Sequence, residues 1–204
     1  SVHGLFRNDN NAAEWGAIGA WSWGMSRILD YLEENQGVDA SRVVAIGHSR
    51  LGKASLWAAA QDLRFAAAIS NNSGAVGAAL SRRQFGETVK IITAMFPHWF
   101  TAEFKNYAGQ EGNLPVDQHQ LIALLAPRPV YVASASEDSW ADPRGEFLAT
   151  RAAAEVYRLY GMATSEFSAM PAAGEALAGP IAYHLRAGKH DLLDFDWRHF
   201  LDFA

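Results

Sequence analysis

Between Ala17 and Glu34 the apolar residues Ile18, Trp21, Met25, Ile28, Leu29 and Leu32 recur at three- and four-residue spacing, the period of one helical face. Gly37 and Asp39 close that helix ahead of Val43 to Ile46, an apolar, β-branched run of strand length. Lys53 to Ala60 is made of small and helix-favouring residues and predicts a helix, so Gly47 to Gly52 must reverse the chain between the two. Phe65 to Ser70 is a second apolar run, closing on Asn71, Asn72, Ser73 and Gly74. Arg128 to Ala135 predicts a third strand, Gly145 to Tyr160 a helix, Ile181 to Leu185 a fourth strand and Phe195 to Phe203 a last helix. Ala163 to Pro180 is rich in Ala, Gly and Pro and is read as loop. Strands alternating with helices predict an α/β fold, a mainly parallel sheet with helices on both faces. Residues 1–204 read as a single domain without internal repeats.

The stretch VVAIGHSRLGK places Ser49 on the first reversal. A serine on a tight strand-to-helix turn has its hydroxyl lifted above the sheet, where backbone N–H groups face a developing oxyanion: the nucleophile elbow. Leu51 stands where the common G-x-S-x-G pattern has its second glycine, and Gly52 follows one place later, so the bare pattern is weak. Acyl transfer by serine also needs a base to take its proton and an acid to orient the base. The order required is serine, carboxylate, histidine, each at a strand end. Ser49 follows the first strand, Asp138 the RPVYVASA strand and His190 the last. Each alone has an ordinary explanation, as a helix cap, a turn residue and a surface loop residue. Together they satisfy the order, and that points to nucleophilic catalysis.

Composition narrows the alternatives. The chain has 204 residues, half of them hydrophobic, enough to bury a substantial core. Lys+Arg 17 against Asp+Glu 22 gives a net charge of −5, which argues against a phosphate-binding surface and hence against nucleic acid. No apolar run approaches the roughly 20 residues needed to cross a bilayer, and the N-terminal SVHGLFRNDNN does not look like a signal peptide. With no cysteine there is neither disulfide nor thiolate chemistry. No H-E-x-x-H or H-x-x-x-H spacing and no Gly-rich phosphate loop occurs, so neither metal nor cofactor is expected. Of the 7 Trp, 6 Tyr and 11 Phe, most are expected in the core, with a few left to stack on a sugar ring. His48 is expected to pack behind the turn, His98 and His119 to be structural, and His184 to lie in the core of the last strand.

The string Gly47-His48-Ser49-Arg50-Leu51-Gly52-Lys53 resembles the G-x-S-R-x-G-K elbow of the glucuronoyl esterases, carbohydrate esterase family 15, within the α/β-hydrolase superfamily. The resemblance runs on through ISNNSG, SRRQFGETV, FPHWF, LPVDQH, LLAPRPVYVASASEDSWADP and GKHDLLDFDW, and is greatest to the bacterial branch. It implies hydrolysis of esters between 4-O-methyl-glucuronic acid on xylan and alcohols such as those of lignin. Glucuronoxylan or a lignin–carbohydrate ester is then the substrate, and the protein is a secreted or periplasmic monomer. It also implies a part for Arg50 at the oxyanion, for Lys53 and Glu87 as hydrogen-bonding partners of the uronate hydroxyls, and for Trp140 on the ring face. Fungal members carry a Glu soon after the second strand, where Asn72 stands here. The acid then moves to Glu137, Asp138 or Asp142. Asp138 sits best, just past the strand; Glu137 should point away, and Asp142 caps the helix opening at Pro143. In such hydrolases several strands precede the nucleophile, whereas one helix and one strand do here, so the chain reads as the C-terminal part of the full domain with an open sheet edge. The rivals are an acetyl xylan esterase or other carboxylesterase on the same scaffold, and a non-catalytic carbohydrate-binding fragment.

Overall fold

The apolar runs become strands β1 (Val44–His48), β2 (Ala67–Asn71), β3 (Val130–Ala135) and β5 (Ile181–Arg186), seen in a computed structural model that describes residues 15–204. The SVHGLFRNDNN stretch lies outside the described residues. Neighbours run β1-β2-β3-β5, all four parallel. The fifth strand, β4 (Glu175–Leu177), pairs antiparallel with β5 and corrects the reading of Ala163 to Pro180 as loop. Its three residues are too few to show a period, and an edge strand needs no apolar face on its outer side. Among the described residues β1 forms the opposite edge.

Side chains of β3 alternate between two cores, as the two-residue period of a strand requires. Val130 and Val132 join one cluster with Leu56, Ile122, Phe147 and Tyr157. Tyr131 and Ala133 join another with Phe200. Helices therefore lie on both faces, as expected: α1 (Ala17–Glu34), α2 (Arg50–Gln61), α4 (Gln118–Ala123) and α5 (Pro143–Leu159) on the first, and α6 (Asp194–Phe203) on the second. A short α3 (Val89–Met95) follows Glu87. Every residue of β2, β3 and β5 is buried, the pattern of a parallel sheet covered on both sides.

Two expectations about the apolar residues need correction. Ile28, placed on the buried stripe of α1, is exposed, and so are five of the seven tryptophans: Trp15, Trp23, Trp57, Trp140 and Trp197. The cause on α1 is that only a narrow strip, Ala17, Ile18, Ser22 and Leu29, is buried. Ser22 marks that strip, its hydroxyl donating to the Ala54 carbonyl of α2 at 2.9 Å.

Candidate active site

Helix α2 begins directly after Ser49, three residues earlier than its composition predicts. Ser49 itself has φ 57° and ψ −127°, a strained backbone for a residue with a side chain, costing on the order of 1–3 kcal/mol. Gly47 and Gly52 make the turn possible. A Cβ on Gly47 would lie 2.0 Å from the Leu51 carbonyl oxygen, and one on Gly52 would press on Ser73 Cβ at 2.9 Å. Gly52 thus supplies the close approach that a glycine at 51 would otherwise give, and Leu51 is free to face solvent. Ser49 N–H donates to Asn71 O at 2.8 Å, tying the turn to β2, while its hydroxyl makes no capping bond. The first N–H groups of α2, on Arg50 and Leu51, have no preceding helical carbonyl to meet and point toward the helix N-terminus. Arg50 is exposed and makes no ion pair among the described residues.

His190 and Asp138 come together across two loops. His190 Nδ1 lies 2.6 Å from Asp138 Oδ2, with the imidazole partly open to solvent and the carboxylate sealed beneath it. A carboxylate only accepts, so in the neutral ring Nδ1 carries the hydrogen and Nε2 keeps its lone pair. The same bond is the main reason the His190 proton affinity sits above the ordinary histidine value, with burial opposing it. Asp138 also accepts from Ala141 N–H at 3.2 Å and from Asn72 Nδ2 at 3.1 Å. Asn72, which cannot itself serve as acid, therefore orients the carboxylate that can. Glu137 is exposed, and Asp142 caps α5 through Gly145 N–H at 3.0 Å while pairing with Arg83, both as expected. Ser49 and His190 carry no hydrogen bond to each other; the His190 ring instead meets that of His48, the residue just before Ser49.

The Lys53, Glu87 and Trp140 set is also assembled. Lys53 Nζ donates to Glu87 Oε2 at 2.6 Å, to Ser73 O at 2.7 Å and to Ala75 O at 2.6 Å, so all three of its donors are engaged. It is buried rather than solvated, and that burial lowers its proton affinity against the pull of Glu87. Trp140 Nε1 donates to Glu87 Oε1 at 3.2 Å, and the residue stays 43% exposed.

Three supports of the site carry no local signal in the sequence, and one histidine stands elsewhere than its position in the chain predicts. Glu146 on α5 is fully buried and accepts from Ser73 N–H, Gly74 N–H and the hydroxyls of Ser73 and Ser134. Burial pushes its carboxyl up to about 7 despite those donors. Arg186 at the end of β5 grips the loop that carries His190, donating to the carbonyls of Ala187, Lys189 and Asp191 and pairing with Asp196 at 2.9 Å. Asn71 Oδ1 accepts from His48 Nδ1 at 2.6 Å. His48 does not pack behind the turn: as the last residue of β1 its ring sits at the rim, centroid 4.5 Å from that of His190. His184 is core, as expected, bonded to Asp196 and Tyr131, while His98 is exposed with its ring edge-on to Trp99.

A mainly parallel sheet covered on both faces, with a serine elbow after one strand and a histidine–carboxylate pair over later strand ends, defines an α/β-hydrolase-type protein. The pattern of the family described as "Glucuronyl esterase, fungi" matches residues 3–161, and the chain belongs to the glucuronoyl esterase family, carbohydrate esterase family 15. It is 52% identical over 191 residues to carbohydrate esterase MZ0003 from an unknown prokaryotic organism, covering 94% of this chain and 44% of that protein. The glucuronoyl esterase structure from Solibacter usitatus superposes with a TM-score of 0.89 at 50% identity, over 93% of this chain and 48% of that one. A glucuronoyl esterase mutant from Sporotrichum thermophile, solved with methyl 4-O-methyl-beta-D-glucopyranuronate, superposes with a TM-score of 0.64 at 30% identity over 72% of this chain and 42% of that one. The chain spans about half the length of these relatives.

Proposed function

We propose that this chain is part of a serine esterase that hydrolyses esters of 4-O-methyl-glucuronic acid through an acyl-enzyme. The observation that carries the reading is the 2.6 Å bond from His190 to a buried Asp138 at the rim where Ser49 is held on a strained turn. Ser49 Oγ attacks the ester carbonyl as His190 Nε2 takes its proton, and Asp138 holds the opposite ring nitrogen. The oxyanion forms against the N–H groups that open α2 and the exposed guanidinium of Arg50. His190 then returns its proton to the leaving alcohol. Water, activated by the same imidazole, attacks the acyl-enzyme and releases the uronic acid.

Glu87 and the open face of Trp140 receive the sugar. A hydroxyl can reach Lys53 directly only by replacing one of the three acceptors its ammonium already has, so Lys53 acts mainly by holding Glu87 in place. Glucuronoxylan, or the ester it forms with lignin alcohols, fits this chemistry. The open edge of β1 is where further strands of the same sheet would join.

The test sets the methyl ester of 4-O-methyl-glucuronic acid beside an aryl acetate, using the intact natural protein, with a fluorophosphonate probe followed by mass spectrometry. Cleavage of the uronate ester with label on Ser49 is expected. Cleavage of the acetate alone would move the reading to another carboxylesterase, and an unlabelled, inert protein that still binds the sugar would reduce it to a binding module.

A further inference from the structure

Asn71 and Asn72 are adjacent at the end of β2, yet their side chains serve different groups at the rim. Asn72 donates to Asp138, and Asn71 accepts from His48. Because an amide oxygen only accepts, His48 carries its hydrogen on Nδ1 and, when neutral, makes no bond through Nε2. The ring thus fixed lies against His190, with centroids 4.5 Å apart and planes inclined at 46°. His190 is therefore held at two points, by a hydrogen bond at Nδ1 and by a ring contact on its flank. A single hydrogen bond leaves an imidazole free to rock about the atom that makes it. A second contact away from that atom removes the freedom. Ser49 follows His48 directly in the chain, so the support and the nucleophile move as one piece of backbone.

We propose that His48, fixed by Asn71, is a positioning residue that sets the plane of the His190 imidazole and so aims its Nε2 at Ser49. The proposal rests on the serine-esterase reading above. The charge balance at the rim agrees with it. Burial is the leading cause that lowers the proton affinity of His48, outweighing the Asn71 bond, and the His190 charge adds to the effect against the opposing fields of Asp191 and Asp138. When His190 becomes an imidazolium during acylation, its neighbour is a neutral ring and not a second cation.

His48→Ala and His48→Phe in the intact natural protein test this. Steady-state hydrolysis of the methyl 4-O-methyl-glucuronate ester, the low-field NMR resonance of the His190 Nδ1 proton and the unfolding midpoint are measured together. His48→Ala is expected to lower kcat about thirtyfold, within the range by which small misplacements slow catalysis, with KM within about twofold. The Nδ1 resonance should broaden while the unfolding midpoint stays put. His48→Phe restores a ring and should recover most of kcat and a sharp resonance. If His48→Ala leaves kcat and the resonance as in the parent, or lowers kcat with the resonance unchanged and no recovery by Phe, the proposal is overturned. A parent protein that fails to cleave the ester overturns the esterase reading instead, and the resonance still decides whether His48 positions the ring.

Discussion

Two pairs at this rim have the same length and opposite surroundings. His190 Nδ1 to Asp138 Oδ2 and Lys53 Nζ to Glu87 Oε2 both measure 2.6 Å. The histidine side chain is 38% exposed over an aspartate at 2%, whereas lysine and glutamate stand at 3% and 7%. A pair that moves a proton needs one partner open to the reactant, and the His190 ring keeps Nε2 free for it. A pair that holds a binding carboxylate needs no opening, and Lys53 has spent all three donors. The contact distance is silent about the difference. Under the proposed mechanism it is the exposure of a single partner, together with the count of unspent donors and acceptors, that separates the working pair from the scaffolding one.

The sharpest way to break this contrast is at the open pair. Asp138→Asn is expected to cut kcat by about 10⁴, the scale seen when the acid of such a triad becomes an amide. It also removes the main cause that raises the His190 proton affinity. Protonated His190 cannot act as base, so the parent's rate falls as pH drops through a value above 6.5. The residual activity of Asp138→Asn should have its acid limb at lower pH. Asp142→Asn should instead lower stability with little change in turnover, because that carboxylate caps α5 and pairs with Arg83. Kinetics across pH with the opposite ranking would reassign the acid to Asp142.

At the sealed pair the damage should appear as instability. Lys53→Met leaves the buried Glu87 carboxylate without its cation and the Ser73 and Ala75 carbonyls without their donor, and breaking such a pair typically costs about 3–5 kcal/mol. Adding Glu87→Gln should recover much of that, since the stranded charge is what costs most. Denaturant unfolding of the single and double variants measures both. If Lys53→Met costs less than about 1 kcal/mol, the two pairs are not as different as their burial implies.

Glu146 joins the two pairs, and its titration sharpens the contrast. It holds Ser73 and Gly74, which follow Asn72, and Ser73 in turn accepts from Lys53. With a folded value of about 7 against an ordinary 4.5, the native state binds the extra proton between those pH values. That contribution to stability is fully present below 4.5 and is lost as pH rises through 7, by up to about 3 kcal/mol. In Glu146→Gln the fall should be absent, so the variant gains on the parent with rising pH in thermal melts from pH 4 to 8. Parallel melting curves would show that the carboxyl does not change its charge there.

Much of this was legible in the chain because it is written locally. Val43 to Ile46 and Lys53 to Ala60 are apolar and helical by residue type, and Gly47, Ser49 and Gly52 need only their own geometry to make the elbow. Asp138 and His190 were readable from strand ends in the right order. The supports were not, because each depends on distant residues meeting. Glu146 looks like any helix glutamate until Ser73, 73 positions away, is brought to it. His48 sits next to the nucleophile in sequence, but its ring direction follows from Asn71 and His190, neither local to it. The β4 strand was hidden for another reason: three edge residues of mixed polarity carry no period at all.

The smallest effect expected comes from the frame of the open pair. Arg186 is 3% exposed, and its fork spans Ala187 O at 2.9 Å, Lys189 O at 2.8 Å and Asp191 O at 3.0 Å, so it holds the backbone on both sides of His190. Its Nε meets Asp196, which also bonds His184 and the Leu193 N–H that opens α6. Lysine at 186 keeps the charge near Asp196 but has one nitrogen where the loop needs several donors in a plane. Arg186→Lys should therefore lower kcat about tenfold with KM nearly unchanged, a loss of about 1.4 kcal/mol in the chemical step. Lys53→Met should show the reverse split, with KM rising as Glu87 loses its place. Measured side by side, the two substitutions test whether turnover and binding are carried by separate frames: if Arg186→Lys raises KM while leaving kcat alone, the loop it grips belongs to sugar recognition and the division drawn from burial fails.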